Sequence, residues 1–515
     1  MTFTETGISL VRLLKIGQLG WKIFAILIWN TLVVYNESCA IYQRIASPTT
    51  KRTQTLWKLQ EASSPSSCAI RSEDCFRYAS RRGKFVTILE PAPSYSTALA
   101  IPCHNSDHEA TRKVLKSVFV HFSPQDIFVV DNGCTRYPTS PEFRNFIRRE
   151  HPEINYIWSP IGGKNAAQLV GAMAGKDYDW IMTVDDDVSI PSSFRSPIDK
   201  MDEVTKGCAF PLKAVDANGD IPLCLVAWQD CEYKMSGLTK LAESSICGVL
   251  YPHGAGWFCE RVTLIDLISN YHSIDFIAED VNTGSSMQKM KKRIAFDATC
   301  VLETEVPTTV LEPGLNWWNQ RYRSWEMGRH GRFIAFADRM LLSLNDQTTP
   351  WGIFTQKFIH LYSIATIIVD WVRIPVSVTM GGDVNFWRLG LPLMLMATIP
   401  ILAFKYINAR NRSDLQTRFW AAMTYPLYKQ LYSLISIFGT IRAVIIYIGG
   451  HKKPKTIKKM IKDKDPNTVW LDPRFEFNPA YLADEAEALL AASMGNCNNE
   501  APTSVCISRS SPRLT

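Results

Sequence analysis

Three consecutive aspartates, Asp185-Asp186-Asp187, follow the apolar run Trp180-Ile181-Met182-Thr183-Val184. Carboxylates within about 4–6 Å of one another raise each other's pKa and oppose ionisation. A divalent cation relieves that conflict by taking carboxylate oxygens as ligands. Magnesium or manganese suits one or two carboxylates completed by phosphate oxygens. On an extended chain residues i and i+2 share a face, which directs Asp185 and Asp187 to one ligand and Asp186 elsewhere. An isolated D-x-D is more often a solvated acidic turn; the strand before it and the carboxylates below weigh against that reading.

Asp131 ends a second apolar run, Ile127-Phe128-Val129-Val130. Glu279-Asp280 reads either as an acidic pair favourable to a helix N-terminus or as a general base separate from the metal carboxylates. Gly162-Gly163-Lys164-Asn165 falls short of a phosphate loop; Lys164 reads as a contact to a diphosphate or a base, or as part of a solvated turn. Gly254-Ala255-Gly256-Trp257 reads as close backbone approach beside an aromatic platform for a sugar, or as a tight turn next to a core tryptophan. Trp317-Trp318-Asn319-Gln320-Arg321-Tyr322-Arg323-Ser324-Trp325 has the composition of an interfacial helix, whose arginines can hold a diphosphate through paired hydrogen bonds.

These groups need a scaffold that brings strand ends together. Ala98-Leu99-Ala100-Ile101-Pro102, Ile127–Asp131 and Trp180–Asp185 read as buried strands. Between the first two, Ser106 and Glu109 form a capping box ahead of Val114, Leu115, Val118, Phe119 and Phe122 at helical spacing, and Asn132-Gly133 is a turn. Strand–helix–strand alternation argues for an open, largely parallel α/β sheet. Ligands bind such sheets beyond the carboxyl ends of the strands, where Asp131 and Asp185 both fall.

The 515 residues carry a net charge of +7 and are 46% apolar, with the apolar sequence concentrated near 8–35 and 353–449. Residues 16–35 have the length of a membrane span, followed by a basic flank that places the next domain in the cytosol. Further apolar segments lie near 358–380, 386–406 and 428–449, interrupted by Asp370, Arg373 and Arg442. Charges there must face a bundle interior or a polar path. Three spans would put the lysine-rich stretch 452–464 on the wrong side for a cytosolic flank, so 419–449 is expected to hide an interfacial or re-entrant piece. The sequons at Asn36 and Asn411 offer a topology check. No zinc-finger spacing or RNA-binding signature accompanies the charge, which argues against nucleic acid. The 13 cysteines contain no C-x-x-C pair and read as reduced thiols.

Taken in order, these motifs resemble the processive family 2 glycosyltransferases (hyaluronan, chitin and cellulose synthases), most nearly the type 2 glycosyltransferases of filamentous fungi. The resemblance covers about residues 95–450. It implies a GT-A-like (Rossmann-like) α/β cytosolic domain plus transmembrane α-helices, and inverting transfer from a UDP-sugar with Mn2+ or Mg2+ to a growing polysaccharide at the plasma membrane. On it, Asp131 and Lys164 contact the nucleotide, Asp185 and Asp187 are the metal-binding pair with Asp185 also on the nucleotide-sugar, and Asp280, with Glu279 beside it, is the catalytic base. Gly254, Gly256, Trp257 and Arg261 are similar to the acceptor-site segment. Gln320, Arg323 and Trp325 resemble the Q-x-x-R-W motif, the first two on the diphosphate and the last on the acceptor. Here Ser324 stands where the tryptophan is expected, one residue early, and a one-residue shift turns an α-helical side chain by about 100°.

The implied organisation is a span at 1–36, a basic, serine-rich linker at 37–94, the catalytic domain at 95–312, interfacial helices at 313–350, membrane helices at 351–450 and a basic, then disordered tail at 451–515. Two other readings remain: transfer of a single sugar to a membrane lipid, and a catalytically inactive scaffold partner of a synthase. Sugar identity and oligomeric state are not legible in these residues.

Overall fold

In the computed structural model, residues 97–132, 141–159, 163–221, 224–272, 279–312, 316–335, 350–380 and 413–448 are described, with scattered positions at 398–406 and 456–462. The chain divides into two units, Met1–Tyr95 and Ser96–Thr515, and the described residues belong to the second. The expected first span and linker, most of 386–406, the sequons at Asn36 and Asn411 and the side chain of Arg373 lie outside the described residues.

The chain first alternates strand and helix: β1 (Thr97–Cys103), α1 (His108–Val118), β2 (Ile127–Asp131), α2 (Pro141–Glu150), β3 (Asn155–Trp158), α3 (Lys164–Ala174) and β4 (Trp180–Val184). It continues through β5 (Val188–Ser189), β6 (Thr205–Ala209), β7 (Leu212–Val215), α4 (Cys224–Ile246), β8 (Gly256–Glu260), α5 (Arg261–Asp266), α6 (Glu279–Lys289), β9 (Arg293–Phe296) and β10 (Leu302–Glu305). A short α7 (Trp317–Gln320), a π-helical turn (Arg321–Trp325) and α8 (Glu326–Ala335) then lead to two long helices, α9 (Pro350–Met380) and α10 (Phe419–Ile448).

Seven strands form the main sheet in the order β3-β2-β1-β4-β8-β6-β9, and β5-β10-β7 form a smaller one. β1 pairs in parallel with both β2 and β4, whereas β8 runs antiparallel to β4 and β6. β1 and β2 are apolar almost without alternation because both faces of the sheet are covered. Leu99 and Ile101 enter one core cluster, and Ala98 and Ala100 enter the other. Strand order reverses between β1 and β4, so the crevice beyond their carboxyl ends is the topological switch point.

At the start of α1, Asp107 rather than Ser106 is the N-cap, accepting from the amides of Glu109 and Ala110. The expected capping box does not form, since Ala110 stands three residues after this cap, and the Ser106 hydroxyl is directed into the crevice instead.

A third cluster joins α4, α7 and α10 through Leu225, Cys231, Trp317, Tyr425, Tyr428 and Tyr432. α10 is one continuous helix containing Pro426, so no re-entrant break falls within Phe419–Ile448. Its Phe419–Ile446 stretch is the one helix among the described residues long and apolar enough to cross a membrane by length and composition. As expected for charges in an apolar segment, Asp370 is buried and paired with Arg329 at 2.8 Å. Arg442 donates to the carbonyls of Tyr322 and Arg323 at 3.2 and 3.0 Å.

Candidate active site

Asp131 is the last residue of β2, opposite Cys103 at the end of β1. It is 1% exposed and accepts from the Tyr156 hydroxyl of β3 at 2.7 Å. Asp185 directly follows β4. The aspartates occupy the tight turn between β4 and β5, closed by Val188 N–H donating to Asp185 O at 3.1 Å. Strand alternation therefore does not set their directions. Asp186 accepts from the Ser106 hydroxyl across the switch point, and so is tied to the loop after β1 rather than standing apart from the site.

Lys164 is the first residue of α3, entered through Gly163 at φ +123°, a conformation that glycine adopts without a Cβ penalty. Its ammonium lies 2.5 Å from Asp185 Oδ1 and 3.3 Å from Glu279 Oε1 and donates to the Gly254 carbonyl. Gly254 lies close against these groups: a Cβ there would sit 2.9 Å from Glu279 Oε1, displacing that carboxylate, and 3.7 Å from both Asp280 Cβ and Lys164 Nζ. Lys164, Asp185, Gly254, Glu279 and Asp280 thus converge from four separate segments.

The N-terminus of α6, which carries Glu279 and Asp280, is held by His272, a fully buried residue. One ring nitrogen contacts Glu279 O at 3.1 Å and the other contacts the amides of Asn165 and Asn282 at 3.3 and 3.2 Å. Two amide donors at Nδ1 assign the proton to Nε2, which then donates to the carbonyl. His272 therefore ties α6 to α3, one residue beyond Lys164.

Burial pushes the Asp185 carboxyl up to about 7; Lys164 opposes that rise, while Glu279 and Asp186 add to it. Asp187 is likewise raised, by burial first and then by Asp185 and Asp186. Burial would lower the Lys164 pKa, but Asp185 and Glu279 outweigh it and the net shift is upward. The buried Cys103 thiol is pushed up by desolvation and by Asp186, Asp131 and Asp185, so these carboxylates share one field at the ends of β1, β2 and β4.

Among the described residues no group of three His, Cys, Asp or Glu converges as a metal site. Asp185 and Asp187 offer two hard oxygen donors whose ionised forms are disfavoured by burial and mutual repulsion. That donor set fits a magnesium or manganese ion completed by diphosphate oxygens and water.

Two residues expected at the acceptor site lie elsewhere. Trp257 is 2% exposed and belongs to the core cluster under the sheet, so its ring has no open face for a sugar; the core-tryptophan reading holds. Arg261 follows β8, whose antiparallel register carries it to the opposite end of the sheet from the aspartates. There its amide and Nε donate to the carbonyls of Asp179 and Tyr178 at 2.9 and 2.7 Å. Gly256 is buried and pairs with Val184 beside the aspartate turn.

Arg321–Trp325 forms a π turn. A π turn closes i→i+5 rather than i→i+4, here with Glu326 N–H donating to Arg321 O. The extra residue is absorbed, and Trp325 lies one turn beyond Gln320. Both meet the Arg321 guanidinium: Gln320 Oε1 accepts from it at 2.6 Å, and its central carbon lies 3.6 Å from the Trp325 ring centroid. Trp325 also packs on Tyr233 at 5.5 Å, and Asp187 is among the charges that raise the Tyr233 phenol, after burial. Arg323 is exposed. Trp317 is buried and donates to the Tyr428 hydroxyl at 3.1 Å, so its ring has no open face for a sugar.

Sequence reasoning missed His272 and Glu232, which carried no signal of their own; it read Ser106 as a helix cap and Arg321 as one of two arginines for a diphosphate, where the structure ties them to Asp186 and Glu232.

No protein-family model matches the sequence, and no curated protein matches it. Among solved structures, the chain is similar to the mannosyltransferase PcManGT from Pyrobaculum calidifontis in complex with GDP-Man and Mn2+. That likeness has 14% identity and a TM-score of 0.40, over 82% of this chain and 99% of that one. It is also similar to GalNAc-T7 with UDP, GalNAc and Mn2+, at 10% identity and a TM-score of 0.31, over 41% of this chain and 44% of that one. At these values neither likeness carries the functional reading, which rests on the site's own geometry.

Proposed function

We propose that the chain is an inverting glycosyltransferase that uses a UDP-sugar and a divalent cation to extend a polysaccharide at a membrane. The observation that carries this reading is the convergence of Asp131, Ser106 and Asp185–Asp187 at the switch point of a parallel sheet, with Lys164, Glu279 and Asp280 brought against them. An acidic crevice of this kind binds a nucleotide diphosphate through a cation, and it retains a separate carboxylate for proton transfer.

In this reading Asp131 holds the nucleotide end of the donor, while Asp185 and Asp187 hold the cation. A bound magnesium or manganese ion supplies positive charge to the departing diphosphate. Asp280 accepts the proton of the acceptor hydroxyl as that oxygen bonds to the anomeric carbon and the bond to the diphosphate oxygen breaks. UDP leaves on the opposite face, so the configuration inverts. Glu279 and Lys164 fix the local charge around Asp280, and His272 fixes the helix start on which it sits.

Membrane association is supported by α10, whose Leu427, Leu431, Leu434, Phe438, Ile441 and Ile445 are exposed at alternating spacings of four and three. Such a stripe lies along one helix face. The Phe419–Ile446 stretch spans about 42 Å at 1.5 Å per residue, more than the roughly 30 Å of a hydrocarbon core. UDP release across a panel of UDP-sugars, with product length read on a gel, tests the proposal. One active donor and a long product are expected. A single sugar on lipid would move the acceptor to a membrane lipid, and absence of UDP release with every donor would overturn the reading.

A further inference from the structure

Arg321 lies under Trp325 with no exposed side-chain surface. Besides Gln320, its guanidinium donates to Glu232 Oε2 at 2.9 Å and to Gln229 Oε1 at 3.3 Å, both on α4. Glu232 Oε2 also accepts from the Tyr428 hydroxyl of α10 at 2.7 Å, and Lys429 lies 3.7 Å from its other oxygen. Against burial, which would raise it, Arg321 and Lys429 hold the Glu232 carboxyl below its ordinary value. A buried guanidinium survives only with its charge and donors matched. Here the matching groups come from the catalytic domain on one side and the apolar helix α10 on the other.

The same guanidinium faces the Trp325 ring at 3.6 Å, a cation–π contact that fixes the ring plane. From α10, Arg442 bonds the carbonyls of Tyr322 and Arg323, which pins the backbone of the π turn. Trp325 is thus clamped on its face and along its backbone, next to a tyrosine that feels the Asp187 charge.

We propose that Glu232 and Tyr428 are positioning residues: acting through Arg321, they fix the Trp325 indole against Tyr233 of the catalytic domain as the platform on which the acceptor sugar stacks. This rests on the glycosyl-transfer reading and goes beyond it, because α10 becomes part of the device that holds the acceptor. In that reading neither residue is among those that hold the donor, so their loss acts on acceptor retention and leaves donor affinity alone.

The test uses the full chain in detergent with 5-fluorotryptophan incorporated. The 19F resonance that disappears in Trp325→Phe is that of Trp325. It is expected to shift in Tyr428→Phe and in Glu232→Gln, two variants that serve as mutual controls should either fold poorly. An unmoved resonance in a folded variant overturns the positioning claim whether or not the protein transfers sugar.

With the active donor, sugar incorporated per UDP released is expected to fall about three- to tenfold in Tyr428→Phe at unchanged donor KM. Tyr428→Phe should add nothing in a Trp325→Ala background. Additive losses overturn the route through Trp325. A wild-type protein that releases no UDP defeats the glycosyl-transfer reading and the acceptor role with it, while the 19F result still decides the positioning.

Discussion

Lys164 Nζ lies 2.5 Å from Asp185 Oδ1, so the first residue of α3 is bonded to the residue that directly follows β4. The contact crosses the sheet's carboxyl edge and also brings Glu279 within 3.3 Å of the same ammonium. Replacing Lys164 with Gln leaves two partly buried carboxylates without their common cation. The expected loss of folding stability is about 1–3 kcal/mol, below the cost of breaking a fully buried pair because these side chains retain some solvent. Denaturant unfolding measures it; a change under about 0.5 kcal/mol would show that solvent already screens the group.

The raised carboxyls give the metal-free protein a signed pH dependence. Burial and the neighbouring acids push Asp185 up to about 7, against Lys164, and Asp187 upward as well, whereas both ionise near pH 4 (about 3.9) in an unfolded chain. Between about pH 4 and 7 the folded state keeps protons that the unfolded state has released, so stability falls as pH rises through that window. Manganese or magnesium is expected to raise the unfolding midpoint more at pH 8 than at pH 5, and Asp187→Asn to remove most of the gain. A midpoint indifferent to metal and to EDTA at both pH values would contradict the assigned ligand pair.

Gly254 and Gly284 separate function from folding. A Cβ on Gly254 meets the movable Glu279 carboxylate at 2.9 Å, whereas one on Gly284 would lie 1.9 Å from the Leu250 carbonyl and 2.6 Å from Tyr251 Cα. Gly284→Ala is expected to cost about 3 kcal/mol or more, since backbone cannot yield cheaply. Gly254→Ala should lower turnover with a smaller change in the unfolding midpoint. The reverse ranking of stabilities would contradict the packing described.

Trp257 sits in the core, so Trp257→Phe should lower stability by about 1–3 kcal/mol and leave acceptor and donor KM unchanged. A selective rise in acceptor KM would return Trp257 to the acceptor site.

Much of the site was legible because its parts end apolar runs. Asp131 and Asp185 stand where buried strands give out, and the continuous apolarity of β1, β2 and β4 already implied a sheet covered on both faces. Strand direction was not legible. β8 runs antiparallel to β4, and that reversal alone keeps Gly254 at the site while sending Arg261 to the far edge. Apolar periodicity is the same in either direction.

The π turn was hidden for a related reason. An α-helical reading of Gln320–Trp325 leaves out the extra residue of the turn, which is held by long-range contacts of Arg321 with Glu232 and Tyr428 and of Arg442 with the Tyr322 and Arg323 carbonyls. Ser106 was read as a cap because Asp107, one residue later, performs that local role and frees the hydroxyl for Asp186.

In the proposed reaction Asp280 takes the acceptor proton at a site where other carboxylates hold the donor. The most direct test of this step is transfer and UDP binding measured side by side in the wild type and in Asp280→Asn. Transfer is expected to fall on the order of 10²–10⁴-fold while UDP affinity in the presence of manganese stays nearly unchanged. Undiminished transfer in the Asn variant would contradict the account.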